Sequence, residues 1–120
     1  MRPYYHATPA GNVGEILREG LKPVRSGGGM SLARPGFKAR SGIYLFGDSM
    51  IAEDWAALAT EEGLEKGIAM PRRWVILEVL VPEGVRLFRD PDFADFFDAR
   101  FLVDRVPPGN ISVYGEITTG

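Results

Sequence analysis

The segment Pro3–Thr8, PYYHAT, carries the only histidine in a chain of 120 residues. Its alternation predicts a short β-strand with Tyr4 and His6 on one face and Tyr5 on the other. Working outward, NVGEILREGLKP places Val13, Ile16, Leu17 and Leu21 at helical spacing. Asn12 is the expected N-cap, Gly20 the C-terminal glycine, and Pro23 prevents continuation. The following 24–42 (VRSGGGMSLARPGFKARSG) has no periodicity and predicts a long exposed loop holding Arg34, Lys38 and Arg40. GIYLF, ending at Phe46, reads as a buried strand. GDSMIAEDWAALATEEG reads as a second helix capped by Asp48 or Ser49, with Ile51, Trp55 and Leu58 on its apolar face.

The C-terminal half is richer in strands. RRWVILEVLVPEG (72–84) is a β-branched run stopped by a Pro-Glu-Gly turn. VRLF continues as a hairpin or bend, and RDPDFADFFDA predicts a turn followed by a short helix or irregular patch. RFLVDRVPPGNISVYGEITTG gives two more strands around Pro-Pro-Gly-Asn, with Ile111, Val113 and Ile117 facing one way and Ser112, Tyr114 and Glu116 the other. Early helices followed by strand runs predict an α+β fold with mostly antiparallel sheet. The length suits one domain spanning 1–120.

Composition narrows the function classes. The apolar share is 45%, the charged share 25% and the formal net charge −2, which disfavours an electrostatic drive towards nucleic acid or anionic membrane. With no cysteine and one histidine, thiol chemistry is excluded and no metal site is expected. No stretch reaches the roughly 20 apolar residues of a membrane span, and no signal-peptide apolar region is present, so no membrane partner and a cytoplasmic location are expected.

Four pieces taken in order carry a likeness. YHAT is similar to the His-Gly-Ser or His-Gly-Thr strand of ADP-ribosyltransferases of the diphtheria-toxin and poly(ADP-ribose) polymerase type. NVGEILREGLKP is similar to the helix after it, SGIYLF to that family's Gly-Ile-Tyr strand, and IAEDWA to its next helix. The resemblance continues through WVILEVLVPEGV and RFLVDRVPPGNI. It implies split, mostly antiparallel β-sheets with two or three short helices, and NAD as co-substrate. By that resemblance His6 donates to the nicotinamide ribose, main-chain groups of Ala7 hold the carboxamide, Tyr44 stacks on the pyridine ring and Trp55 flanks it. Thr8 and Gly42 complete the implied NAD-binding set. Stacking on a cationic ring needs a flat aromatic face, and a main-chain clamp needs a small residue. Ala7 stands where the family usually has glycine.

The small bacterial enzymes that ADP-ribosylate rifamycins offer a further likeness, in VPEGVRLFRDPDF and VYGEIT, which makes Asp90 the counterpart of their functional aspartate. Most transferases of this clan begin the strand corresponding to RFLV with a glutamate that stabilises an oxocarbenium-like transition state. Here that place falls on Ala99 or Arg100. Three explanations stand: the acid comes from Asp90, Asp98 or Glu116; the chain binds NAD or ADP-ribose without transferring it; or Ala99 replaces a glutamate. RNA 2'-phosphotransferases, of the same fold and also lacking this glutamate, are a further alternative, with Arg34, Lys38 and Arg40 as phosphate ligands.

Each residue also has a structural reading: His6 and Tyr44 as strand and core residues, Trp55 as helix core, Asp90 as a turn cap, Glu116 as a solvated residue. The leading expectation is a mono-ADP-ribosyltransferase, toxin-like by the resemblance to its clan, with a small-molecule or macromolecular acceptor that the sequence does not name.

Overall fold

The computed structural model describes residues 2–23, 43–89 and 104–119, together with the main chain of 99–102. The predicted loop 24–42, with Gly42, Arg34, Lys38 and Arg40, lies outside the described residues, as does the acidic, Phe-rich stretch 90–98 with Asp90 and Asp98. The elements are β1 (Pro3–Pro9), a 3₁₀ turn (Ala10–Asn12), α1 (Val13–Glu19), β2 (Ile43–Phe46), α2 (Ser49–Glu65), β3 (Arg73–Leu80), β4 (Leu87–Arg89), β5 (Ala99–Leu102), a second 3₁₀ turn (Pro108–Asn110) and β6 (Ile111–Thr118). This is a small α+β fold. Among the described residues six strands form one sheet in the order β4-β5-β2-β1-β3-β6, with every pairing antiparallel. Among the described residues no helix is long and apolar enough to cross a membrane.

Strand alternation sorts the core into two layers. Tyr4, Ile43, Leu45, Val75, Leu77 and Val79 face Leu21, Val106 and the inner side of α1, where Val13 and Ile16 pack. Ala7, Phe46, Trp74 and Ile76 face α2. β3 is therefore buried on both sides, which is why its sequence reads as a continuous apolar run rather than an alternating one.

Two of the expected helix-end residues act as read. Asp48 caps α2 by accepting from the Met50 amide at 2.8 Å. Gly20 ends α1 at φ 89°, with its amide on the Ile16 carbonyl at 2.7 Å. Leu21 then makes a two-way bridge to Val106 through main-chain bonds of 3.0 Å each. Asn12 occupies the N-cap position of α1 but makes no side-chain cap bond.

The structure corrects four sequence readings. The buried stripe of α2 is Ala52, Ala56, Ala59, Thr60 and Gly63, while Ile51, Trp55 and Leu58 are only half-buried. Close approach of a helix to a sheet that carries Phe46 and Trp74 needs small residues at the contact, and the large ones are displaced to its flanks. Leu17, at helical spacing with Val13, Ile16 and Leu21, lies outside their buried face and is 42% exposed. β4 does not continue β3 but pairs with β5 at the far edge. Ile111 and Ile117 face opposite sides of the sheet, because the β3–β6 register shifts at Ile76/Leu77 and leaves Tyr114 as an extra residue.

Candidate functional site

The sheet has a narrow seam at its centre. β1 pairs with β3 along its whole length, Pro3 to Pro9, yet with β2 only at Tyr5↔Phe46. Continuing that register would set Ala7 opposite Tyr44, but the ladder stops short. In its place the His6 ring reaches across, and its Nδ1 lies 2.7 Å from the Tyr44 carbonyl oxygen. A carbonyl only accepts, so Nδ1 carries the hydrogen and donates it. A side chain thus ties together two strands whose main chains have parted.

That tether fixes the chemistry of the ring. Burial pushes the His6 pKa below its ordinary value of 6.5, and the bond to the Tyr44 carbonyl opposes this only partly. The ring is therefore neutral near pH 7, with the proton on Nδ1 and a lone pair on Nε2. In that state Nε2 can only accept, whereas the resemblance implies a donor at His6.

His6 and Thr8 line a cleft of about 320 Å³ on the α1 side of the seam. Asn12, Glu15 and Ile16 line it from the first 3₁₀ turn and α1, and Lys22 lines it from just beyond α1. The cleft thus offers a neutral acceptor, a hydroxyl, an amide, one charge of each sign and an apolar wall from Ile16. Lys22 pairs with Glu19 at 3.5 Å, both side chains being close to half-exposed. Of these residues the sequence singled out only His6 and Thr8 as site candidates. Asn12 and Ile16 were read as cap and core, and nothing in the spacing of Glu15 or Lys22 marked them. A second cavity of about 570 Å³, between α2 and the end of β6, contains none of the expected residues.

On the opposite face of the seam, under α2, stand Ala7, Tyr44 and Trp55. Ala7 is buried, while Tyr44 and Trp55 are half-buried against the same cluster. Trp55 lies between two rings, 5.9 Å from Phe46 and 5.9 Å from Trp74, the latter edge-on at 89°. Trp74 is held in turn by its indole Nε1, which donates to Thr60 Oγ1 at 3.0 Å. Thr60 donates to the Ala56 carbonyl at 2.9 Å and lies 3.1 Å from the Thr119 hydroxyl. Sequence reasoning found no sign of this hydroxyl chain.

The expected residues thus divide into two groups about one seam, His6 and Thr8 on the α1 side and Ala7, Tyr44 and Trp55 on the α2 side. Gly42, Asp90 and Asp98 lie outside the described residues. Glu116, the third candidate acid, is removed from the seam: it stands on β6 opposite Val75 and pairs with Arg73 at the surface. Ala99 and Arg100 begin β5, in register with Phe46 and Leu45. A carboxylate the sequence did not single out, Glu78, lies opposite Tyr5; together with burial, which acts more strongly, its charge pushes the Tyr5 pKa above 10.0.

What these features define is a class, a small antiparallel α+β domain with a histidine-tethered central seam. No protein-family model matches the chain, and no curated protein or solved structure matches it either.

Proposed function

We propose that the chain binds NAD across the β1/β2 seam and transfers ADP-ribose from it, with release of nicotinamide. The observation that carries this reading is the seam itself. The main-chain ladder opens where Ala7 would meet Tyr44, and the chain's one histidine stands in the gap with Nε2 free to accept. Two half-sheets joined at one registered pair are what the resemblance to ADP-ribosyltransferases implies. The small residue and both aromatics expected at the nicotinamide end stand on one side of that gap.

In this reading the nicotinamide ring lies on the α2 side, against Tyr44 and Trp55, with Ala7 small enough to let the carboxamide approach the main chain. The His6–Tyr44 bond must open to let the ligand pass the seam, since the cleft lies on the other face of the sheet. A cationic ring between aromatic faces is held by quadrupole attraction as well as by burial. His6 Nε2 accepts from a hydroxyl of the adjoining ribose. The cleft around Thr8, Asn12 and Lys22 receives the rest of the dinucleotide, and its volume suits a nucleoside-sized part rather than the whole molecule. Reaction breaks the C1′–N bond of the nicotinamide ribose. The bonding pair returns to the ring, which leaves neutral, and an acceptor attacks the oxocarbenium-like carbon while losing its own proton. An acceptor with a hydroxyl or amine fits this balance, and water gives slow hydrolysis.

One observation favours a second reading, a silent NAD-binding module. The start of β5 is the place where the clan has its glutamate, and it carries Ala99 and Arg100, neither of which stabilises a developing cation. Nicotinamide release from NAD separates the readings. A transferase yields nicotinamide above the protein-free background, and His6→Ala lowers that yield by about tenfold, the equivalent of one hydrogen bond. Binding with no release selects the silent module, and absence of both binding and release refutes the NAD reading.

A further inference from the structure

We infer that β6 is a self-association edge, and that a second copy of this chain pairs with it antiparallel about a two-fold axis. The two ends of the sheet are unlike. β4 is three residues long, short enough to protect itself, whereas β6 runs eight residues from Ile111 to Thr118, and among the described residues no strand pairs along its outer side. It contains no proline or lysine, and its single charge, Glu116, pairs with Arg73 within the chain. Val113 and Tyr114 are 52% and 55% exposed. Long edges with so few protective devices invite a further strand.

The second copy is indicated by the way the strand complements itself. Ile111, Val113 and Glu116 lie on the α1 face, since they stand opposite Val79, Leu77 and Val75. Ser112, Tyr114 and Ile117 lie on the α2 face: Ser112 opposite Glu78, Tyr114 with its ring 5.1 Å from Tyr5, and Ile117 opposite Trp74. The bulge at Tyr114 breaks the alternation, so most self-registers oppose residues from different faces. The register that pairs Ile111 with Thr118 of the second copy restores agreement along the strand. It sets Ser112 against Ile117, Val113 against Glu116 and Tyr114 against Gly115, and no Glu116 meets its own copy. Because the axis is two-fold, each contact occurs twice.

Gly115 supplies an independent reason. A strand interior disfavours glycine, and this one, beside the bulge at Tyr114, has neither a positive φ nor local crowding, since a Cβ there would meet nothing within 4 Å. In the paired edge the Tyr114 ring of the second copy turns away from its own Tyr5, on which it rests in the single chain, and covers the open space above Gly115, as a cross-strand aromatic covers a strand glycine.

Sedimentation velocity over roughly 1–500 µM tests this, since a two-strand junction lies at the small end of specific interfaces. The wild type is expected to shift from monomer to dimer within that range. Gly115→Val is expected to raise the thermal midpoint of the monomer, because valine favours strands, yet to weaken dimerisation at least tenfold by filling the space for Tyr114. Val113→Glu, which faces Glu116 of the second copy twice, is expected to weaken it about threefold or more, and Val113→Lys to strengthen it by a similar factor. Hydrogen exchange on the wild type gives a reading free of mutation: the amides of β6 gain protection as concentration rises. A wild type monomeric throughout overturns the inference. So does a dimer indifferent to both Val113 changes, which uses another surface.

Discussion

Thr60→Val tests whether the hydroxyl under α2 is what holds the indole pair in place. Valine keeps the shape and removes the oxygen. Three bonds meet there: Trp74 Nε1 donates at 3.0 Å, the Ala56 carbonyl accepts at 2.9 Å, and the Thr119 hydroxyl lies at 3.1 Å. Two of the three partners have somewhere else to turn. The Ala56 carbonyl retains the ordinary helical bond from four residues on, and Thr119 retains the Arg72 carbonyl at 3.3 Å. Trp74 has none, because its side chain is fully buried, with 0% exposed. One buried donor left unsatisfied destabilises by about 1–3 kcal/mol. The measurement is urea unfolding followed by far-UV circular dichroism in a cycle with Trp74→Phe, which has no N–H to strand. Thr60→Val is expected to cost about 1–3 kcal/mol with Trp74 present and only a few tenths with Phe, giving a coupling of similar size. Equal costs in both backgrounds would refute the argument.

Two further predictions rest on single residues. The His6 pKa is lowered on folding, so below 6.5 the unfolded chain binds more protons than the folded one. The stability due to the neutral ring is present above pH 6.5 and is lost as the pH falls from there towards the folded value. The stability difference between wild type and His6→Gln should shrink on acidification through that window, measured as urea midpoints at pH 7.5 and pH 5, roughly one unit or more to either side of the ordinary histidine value; a constant or growing difference contradicts it. Gly20→Ala combines an unfavourable positive φ with a Cβ driven into the Val106 carbonyl, and should destabilise by about 2–5 kcal/mol. A thermal midpoint unchanged from wild type would show that the α1–Val106 junction is softer than its geometry implies.

Much of the fold is legible in the sequence because local chemistry and tertiary packing agree there. Trp74–Val81 is a β-branched run that suits only a strand covered on both faces, and Tyr4, Tyr5 and His6 alternate as a strand between two layers must. Asp48 and Gly20 act at helix ends through their own side-chain or backbone chemistry, so their roles need no tertiary knowledge. The misreadings arise where packing overrides the local pattern. Ile51, Trp55 and Leu58 look like a core stripe, but the distance between α2 and the sheet is set by Ala52, Ala56 and Ala59 beneath them. Ile117 changes face because of one extra residue at Tyr114, and a bulge without a positive-φ glycine leaves no mark in sequence.

The site divides in the same way. His6, Ala7, Thr8 and Tyr44 stand in short ordered motifs and are visible one residue at a time. Asn12, Glu15 and Lys22 join His6 and Thr8 in the cleft only because α1 folds back over β1, and the direction of the His6 hydrogen bond depends on where the β1/β2 ladder stops. Nothing in PYYHAT shows that its histidine will donate to a main-chain carbonyl 38 positions away.

The most direct test of the central claim, that NAD binds at the tethered seam, is isothermal titration of NAD into the wild type and His6→Ala. A single site per chain is expected in the wild type. His6→Ala, which removes one hydrogen bond to the ligand and loosens the seam, should weaken it about tenfold. No binding heat from the wild type, or identical affinities for both proteins, would contradict it.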